Sequence, residues 1–511
     1  MANDVTFESV APRPDISPAR RYVILAMVVL SVTLYSTSIL IVAAVLPQLQ
    51  GAMSATPDEI SWTMTFNILA TAMMTPLTGW LAGRFGRRNL LAGSVAVFAI
   101  ATYFCGAAMS LESLIFWRIV QGAAGAPLPP IGQAVTLDIF PKHQHGMVIG
   151  MYGVGVVMGA FAGPMIGGVM AELYTWRYAF YLMFPIAVMS SIGVMLALPR
   201  TNRTTHVKLE WTGFLLLSVS IACIQLALSR GQRLDWFQST EICIEVFVGA
   251  LSFYLFVAHS LTHDKPFLNL KLLLNRNYAI GLILVTIYGM LNFTPMVILP
   301  GLLREHVGLP DSLIGYVVGS RGIGAMAAFF IAGFVGQKFP RQSIAVGFSL
   351  QVIAGLWLMT VNLNTTPMEF VLNGIVQGLA VGTIWVPLTV VTFSTLDPKY
   401  LDETSSVYHL LRNIGSSFFI SLSVTELVRS AATNYEFMTE HISRFNPLLD
   451  LPWVMGERSI DTVEGLSRLS NEIFHQASLL SYLNAFGLYT MASALAIPLI
   501  MFVSSPKKKA A

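Results

Sequence analysis

The sequence predicts an all-α polytopic membrane protein: two six-helix bundles with an inserted two-helix hairpin, fourteen transmembrane helices in all. Three observations predict it. The chain is 55% apolar and only 11% charged over 511 residues, too few charges for a soluble domain of that size. Its apolar runs are long enough to cross a bilayer, which takes about 20 residues each. Two short signatures also recur at nearly one offset, the mark of duplicated halves.

In chain order, the spans fall at about 22–46, 60–82, 89–108, 113–137, 146–170, 177–198 and 211–229, then 240–260, 277–300, 312–336, 342–361, 367–393, 404–428 and 479–503. The first is too long for the apolar part of a signal peptide, so it reads as a retained span. Ahead of it, the Pro-rich stretch within residues 1–21 reads as a disordered cytoplasmic tail. With fourteen spans and both termini cytoplasmic, nineteen of the thirty basic residues lie inside and eight outside, with Arg118, Arg321 and Arg412 within spans. All nine lysines then fall on the cytoplasmic side, which satisfies the positive-inside rule.

The repeat rests on two pairs. Gly79, Arg84, Gly86 and Arg87 follow the second span as Gly333, Lys338, Pro340 and Arg341 follow the tenth, an offset of 254 residues. Gln121-Gly122 in the fourth span matches Gln377-Gly378 in the twelfth, an offset of 256. Six spans need about 190 residues, so the surplus of roughly 60 fits one inserted hairpin, placed at 211–260. The organisation expected is a first bundle over 22–200, a linker and hairpin over 201–277, and a second bundle over 278–503. An outer loop at 429–478 interrupts the second bundle, with an amphipathic helix expected at 462–477, and a basic cytoplasmic tail occupies 504–511.

Net charge is +3 with the basic residues dispersed, which excludes a nucleic-acid partner. Cys105, Cys223 and Cys243 all sit in apolar runs and read as core residues, with no metal site and no cofactor implied. The fifth span carries Gly155, Gly159, Gly163 and Gly167 at every fourth position, with Gly168 beside the last and Pro164 between. That spacing leaves one helical face without side chains, so a neighbouring helix can approach backbone to backbone, and Pro164 removes a backbone donor. A smooth, bendable seam suits two halves that rock against each other.

Together these residues resemble the major facilitator superfamily, in particular its fourteen-span drug:proton antiporter branch of the EmrB/QacA type. The short cytoplasmic signature of the superfamily is matched at Gly79, Leu81, Ala82, Arg84, Gly86, Arg87 and Arg88. The fourth-span signature is matched at Arg118, Gln121, Gly122 and Gly125, and the antiporter signature at Gly159, Gly163, Pro164, Gly167 and Gly168. Trp176-Arg177, Phe180 and Pro185 resemble the start of that branch's sixth span. The chain departs from the pattern where Gly83 replaces an aspartate, and where Ser38 stands in place of the first-span acid that relatives offer to a proton or cation. The resemblance implies a bacterial inner-membrane antiporter that exports drugs and toxic compounds, with protons and a periplasmic adaptor as further partners besides lipid and a small organic substrate. Uptake of an aromatic, vitamin-like metabolite such as a flavin is the alternative on the same fold.

Charged residues in the spans are the site candidates. A mid-membrane arginine costs about 2.5–3.5 kcal/mol on insertion scales and needs a partner or a watery cavity. Arg118 is expected to face a central cavity. Arg412 and His409 share a face of the thirteenth span, and His409 is the side chain there that titrates near neutral pH. Gln121, Tyr35, Asn67, Tyr288, Asn292, Trp385 and Tyr408 are candidates to stack or orient a flat organic substrate. At the cytoplasmic end, Asp138 is expected to pair with Arg84, Arg87 or Arg88 and so close that side, with Gly79 and Gly86 shaping the turn. No phosphate-binding loop and no cluster of catalytic side chains is present, so neither ATP hydrolysis nor enzyme chemistry is expected.

Overall fold

The computed structural model describes residues 17–199, 209–263, 266–336, 338–362, 364–397, 400–440, 442, 446, 451 and 462–502, and every regular element among them is helical. The first half runs α1 (Pro18–Met53), α2 (Pro57–Met74), α3 (Thr78–Phe85), α4 (Arg87–Ala107), α5 (Leu111–Gly125), α6 (Leu128–Ile139), α7 (His145–Leu173) and α8 (Trp176–Ala197). The hairpin is α9 (Trp211–Arg230) and α10 (Thr240–Thr262). The second half runs α11 (Arg276–Glu305), α12 (Asp311–Val335), α13 (Pro340–Met359), α14 (Pro367–Phe393), α15 (Leu401–Thr439) and α16 (Val463–Leu499).

Local chemistry sets these boundaries. Ser17 caps α1 by accepting the Arg20 amide, and Pro18 fills the first turn, where its missing N–H costs nothing. The tail expected to be disordered through residue 21 therefore gives way to helix at Pro18; residues 1–16 lie outside the described ones. Pro76 splits the second pass into α2 and α3, and Pro127 splits the fourth into α5 and α6. Gly86 joins α3 to α4 at φ 77°, a left-handed conformation that a residue with a Cβ rarely adopts.

Among the described residues, eleven helices are long and apolar enough to cross a membrane. Outside that set stand α2, α3, α5 and α6, whose runs are broken at proline, and α15, which carries more charge. Both α15 and α16 overrun a bilayer: 39 residues in α15 span about 58 Å against a hydrocarbon core of about 30 Å. The outer loop expected at 429–478 is thus largely helical where described. Residues 429–439 prolong α15, and α16 begins at Val463 as one continuous rod rather than a separate surface helix. The two extensions hold each other through Tyr435 Oη and Ser470 Oγ at 2.8 Å and through Asn484, which donates to Ser430.

Helices α1 to α8 share one apolar core, and α11 to α16 build two adjoining ones. Ala134, Leu137 and Ile149 of α6 and α7 enter the second half's core, which is where the halves meet. The hairpin closes the seam from the side: Leu217, Ile221 and Phe256 pack with Ala72 of α2 and Leu410 of α15. Gln225 donates to Ser417, and Ser421 to the Leu228 carbonyl, so α9 runs along α15.

The duplication is visible in three-dimensional contacts. A Cβ on Gly122 would strike the Asn67 carbonyl, and one on Gly378 would strike the Arg321 carbonyl; the offsets are 256 and 254 residues. A Cβ on Gly159 would meet the Thr33 carbonyl, and one on Gly415 the Thr286 carbonyl. Close helix crossings of this kind admit only glycine.

The glycine seam needs a correction. Gly155, Gly159 and Gly163 face Val29, Thr33, Thr37 and Ile41 of α1, within one half. The hydroxyls of Thr33 and Thr37 reach the Gly155 and Gly159 carbonyls at 2.9 and 3.1 Å. Gly167 is buried, whereas Gly168 and Pro164 are exposed and Gly168 has open space around it. The approach between halves uses the other side of α7: Gly150 and Gly153 lie against Phe329 of α12, and Gly333 lies against Gly146. Residues 150 and 159 are nine apart, half a turn of phase at 3.6 residues per turn. The spacing was sufficient to define a smooth face but not its partner.

Candidate functional site

The face carrying the turns at Gly86 and at 140–144 is termed the basic face. Three contacts climb α15 from it, joining the halves directly. At the first turn, Asp402 accepts both oxygens' worth of contact from Arg87 Nε, at 2.8 and 3.1 Å, while Arg87 Nη1 reaches Asp138 Oδ2 at 2.8 Å. One arginine of the first half thus clamps a carboxylate from each half. Next, Ser405 Oγ donates to the Pro130 carbonyl at 3.0 Å. Then the His409 Nε2 lies 2.8 Å from Gln133 Oε1. Positions 402, 405 and 409 share one helical face by spacing, so α15 presents a polar ladder to α6.

Beside the ladder's foot, Gly79 leaves room for the α15 backbone at Glu403, 3.0 Å from where a Cβ would sit. Arg88 instead donates to the Met195 carbonyl at the end of α8, and Arg84 is exposed. Of the three cations expected at this gate, Arg87 joins Asp138. Asp402 escaped the sequence reading although it stands directly ahead of the span, because its partner lies 315 residues away. Gln133 escaped as well, being an uncharged residue in an apolar run.

One turn above His409 lies Arg412, about 17 Å along the helix from its start and so near mid-membrane. It is half-buried, its guanidinium bonds to the neighbouring Asn413 side chain at 3.0 Å, and it lies over the Trp385 ring at 5.4 Å. Trp385 packs against Tyr288, Tyr408 and His409, with ring centres 5.2, 5.5 and 5.9 Å away. Tyr35 of α1 and Tyr152 of α7 lie within the electrostatic reach of Arg412, so this cluster draws on both halves. An aromatic box around a cation whose hydrogen-bond partner among the described residues is a neutral amide is suited to an amphipathic ligand with a negative end.

The other two membrane arginines are already occupied. Arg118 is buried and donates to the Thr63 and Ser38 carbonyls at 3.3 and 3.2 Å and to Gln121, which in turn donates to Thr102. Asn67 donates to the Arg118 carbonyl at 2.7 Å. Arg321 donates to the carbonyl and side chain of Asn292. Asn67 and Asn292, expected as substrate-orienting amides, are therefore consumed in holding the two arginines or their helices. Arg118 ties α1, α2 and α5 together, meeting the need of a buried charge with carbonyl dipoles in place of a counter-ion. A shallow recess beside Arg321 is lined by Pro295, Leu299 and Gln377. Among the described residues no aspartate or glutamate is buried, whereas Arg118, Arg321 and His409 are.

Two packed helical halves, related by repeat and meeting around a central polar cluster, define a multi-pass membrane transporter. Residues 26–420 match the model of the Major Facilitator Superfamily, and the chain belongs to that family of transporters. It is similar to its EmrB-type members. The Multidrug export protein EmrB of Escherichia coli (strain K12) is 30% identical over 406 residues, 79% of each chain. The Fatty acid resistance protein FarB of Neisseria gonorrhoeae is 25% identical, covering 90% of this chain and 91% of its own. Among solved structures, the human organic anion transporter MFSD10 (TETRAN) superposes with a TM-score of 0.59 at 12% identity, over 94% of this chain and all of that one; at that identity the likeness concerns the fold.

Proposed function

We propose that this chain exports amphipathic compounds across a bacterial inner membrane by alternating access, with preference for those bearing a negative charge. In this reading the chain crosses the membrane fourteen times and the basic face is cytoplasmic, as the positive-inside rule requires. The α15–α6 ladder then closes the cytoplasmic side, and export proceeds as the halves rock and the ladder opens. The observation that carries the substrate preference is Arg412: a half-buried guanidinium bonded to a neutral amide, walled by Trp385, Tyr288 and Tyr408. No carboxylate is buried among the described residues to hold a cationic drug. Similarity to EmrB supports export over uptake, and the Neisseria relative is named for resistance to fatty acids, which are amphipathic anions.

The test compares cells with and without the protein, loaded with dansyl-undecanoate, a fluorescent amphipathic anion, or with ethidium, a cation. The protein should lower retention of the anion well beyond any effect on ethidium, and Arg412→Gln should abolish most of that difference. Raised retention of the anion would reverse the direction proposed, and extrusion of ethidium alone would refute the substrate class.

A further inference from the structure

We infer that the imidazole of His409 is the proton-binding site that couples transport to a pH gradient, through its bond across the two halves to Gln133. The inference rests on the export reading above and deepens it. Several observations converge on this side chain. His409 is buried, as is Gln133, and their 2.8 Å contact bridges the halves. If the Nε2–H donates to Gln133 Oε1, the lone pair left on Nδ1 has no partner, and neither has the Gln133 amide nitrogen. Two orphaned polar atoms at one buried contact are uncommon, and such an atom calls for a functional account. Here the free nitrogen is a base poised at the upper end of the ladder, against Trp385 and one turn from Arg412.

The surrounding groups decide what a proton does there. Among the described residues Tyr408, Trp385 and Gln133 adjoin the ring and Arg412 lies one turn on, while Tyr288 of α11, Tyr152 of α7 and Tyr35 of α1 lie within the electrostatic reach of Arg412. None is a carboxylate. A proton on Nδ1 therefore places a second positive charge beside Arg412 in the shut ladder, with no counter-ion. When the halves part, the same charge meets water. The proton is thus differentially bound by the cytoplasm-open form, and a ligand shifts an equilibrium by that difference. A proton arriving while the outer side is open forms an N–H bond at Nδ1 and drives the ladder open; the N–H bond then breaks and the proton leaves to the cytoplasm. The neutral imidazole, with an anion at Arg412, allows the ladder to close again. One proton enters per compound exported.

The experiment reports the ladder directly. Leu137 of α6 is buried against the second half, so a thiol there reacts with N-ethylmaleimide only when the halves part. In a chain lacking its three native cysteines, Leu137→Cys is labelled between pH 8 and 6, each rate taken relative to His409→Gln at the same pH to cancel the reagent's own pH dependence. The ratio should climb as pH falls through the range of a water-exposed imidazole, about fourfold in all between pH 8 and 6, and His409→Arg should label fast at every pH. A flat ratio, or an unchanged His409→Arg, overturns the assignment. In proteoliposomes, His409→Gln should keep exchange of dansyl-undecanoate but lose its uphill movement under a pH gradient; retained uphill movement also overturns it. If the wild type moves no dansyl-undecanoate while labelling still follows pH through His409, the proton site stands and the export reading falls.

Discussion

Replacing Asp402 by asparagine removes the charge that the second half contributes to the Arg87 clamp, and the structure ranks this change above its counterpart in the first half. Asp402 and Arg87 are 20% and 18% exposed at their side chains, and Asp402 takes two contacts from Nε. Asp138 is 42% exposed and takes one. A hydrogen bond to a charged group is worth about 1.5–3 kcal/mol when partly desolvated, whereas solvent screening leaves an exposed pair under about 1 kcal/mol. Asp402→Asn should therefore shift the closed–open equilibrium by about 2 kcal/mol, roughly 30-fold. Asp138→Asn should shift it by roughly fivefold or less, and being contained within the first half it acts only by orienting Arg87. The assay is maleimide labelling of Leu137→Cys from the side of the basic face, at a pH above 7.5 so that His409 does not contribute. Equal acceleration in the two variants, or a larger effect of Asp138→Asn, would refute the reasoning that one carboxylate latches the halves and the other positions the latch.

Other outcomes follow from particular contacts. Gly159→Val drives a branched side chain into the Thr33 carbonyl and should abolish stable expression, while Gly168→Ala, in open space, should change melting temperature by less than a degree or two. Trp385→Ala removes the ring beneath Arg412 and should raise KM for an aromatic anion about fivefold, from roughly 1 kcal/mol of lost contact; an unchanged KM would remove the aromatic box from the binding site. Just beyond the end of α11 remote from the basic face, burial and then the neighbouring His475 pull His306 down to about 4 from an ordinary 6.5. The folded state thus binds this proton less readily than the unfolded chain, so the contribution to stability is complete above pH 6.5 and is lost as pH falls toward 4. Thermal unfolding in detergent should show that loss, and His306→Asn should flatten it.

Much of this was legible in the residues. Apolar run length outlines most of the long helices, because lipid imposes that constraint locally. The repeat was readable since close crossings at Gly122 and Gly378 tolerate no other residue. What escaped was non-local or masked by polarity. The residues after 428 lose their apolar character where α15 leaves the bilayer, so a helix continuing into water resembles a loop. Glycine spacing at 155, 159 and 163 defines a smooth face without naming α1 as the helix that covers it. The amides Asn67 and Asn292 look free in sequence, yet the fold uses them around the two buried arginines. The cross-half partners Asp402 and Gln133 depend on contacts between residues 315 and 276 positions apart.

In the proposed cycle the halves must separate at the ladder for a solute to cross. Gly79 and Glu403 offer a direct lock: a Cβ at residue 79 would sit 3.4 Å from the Glu403 Cβ, close to disulfide spacing. In the Gly79→Cys, Glu403→Cys double variant, oxidation should halt export of dansyl-undecanoate and dithiothreitol should restore it. Export that continues undiminished from fully cross-linked protein would contradict the account.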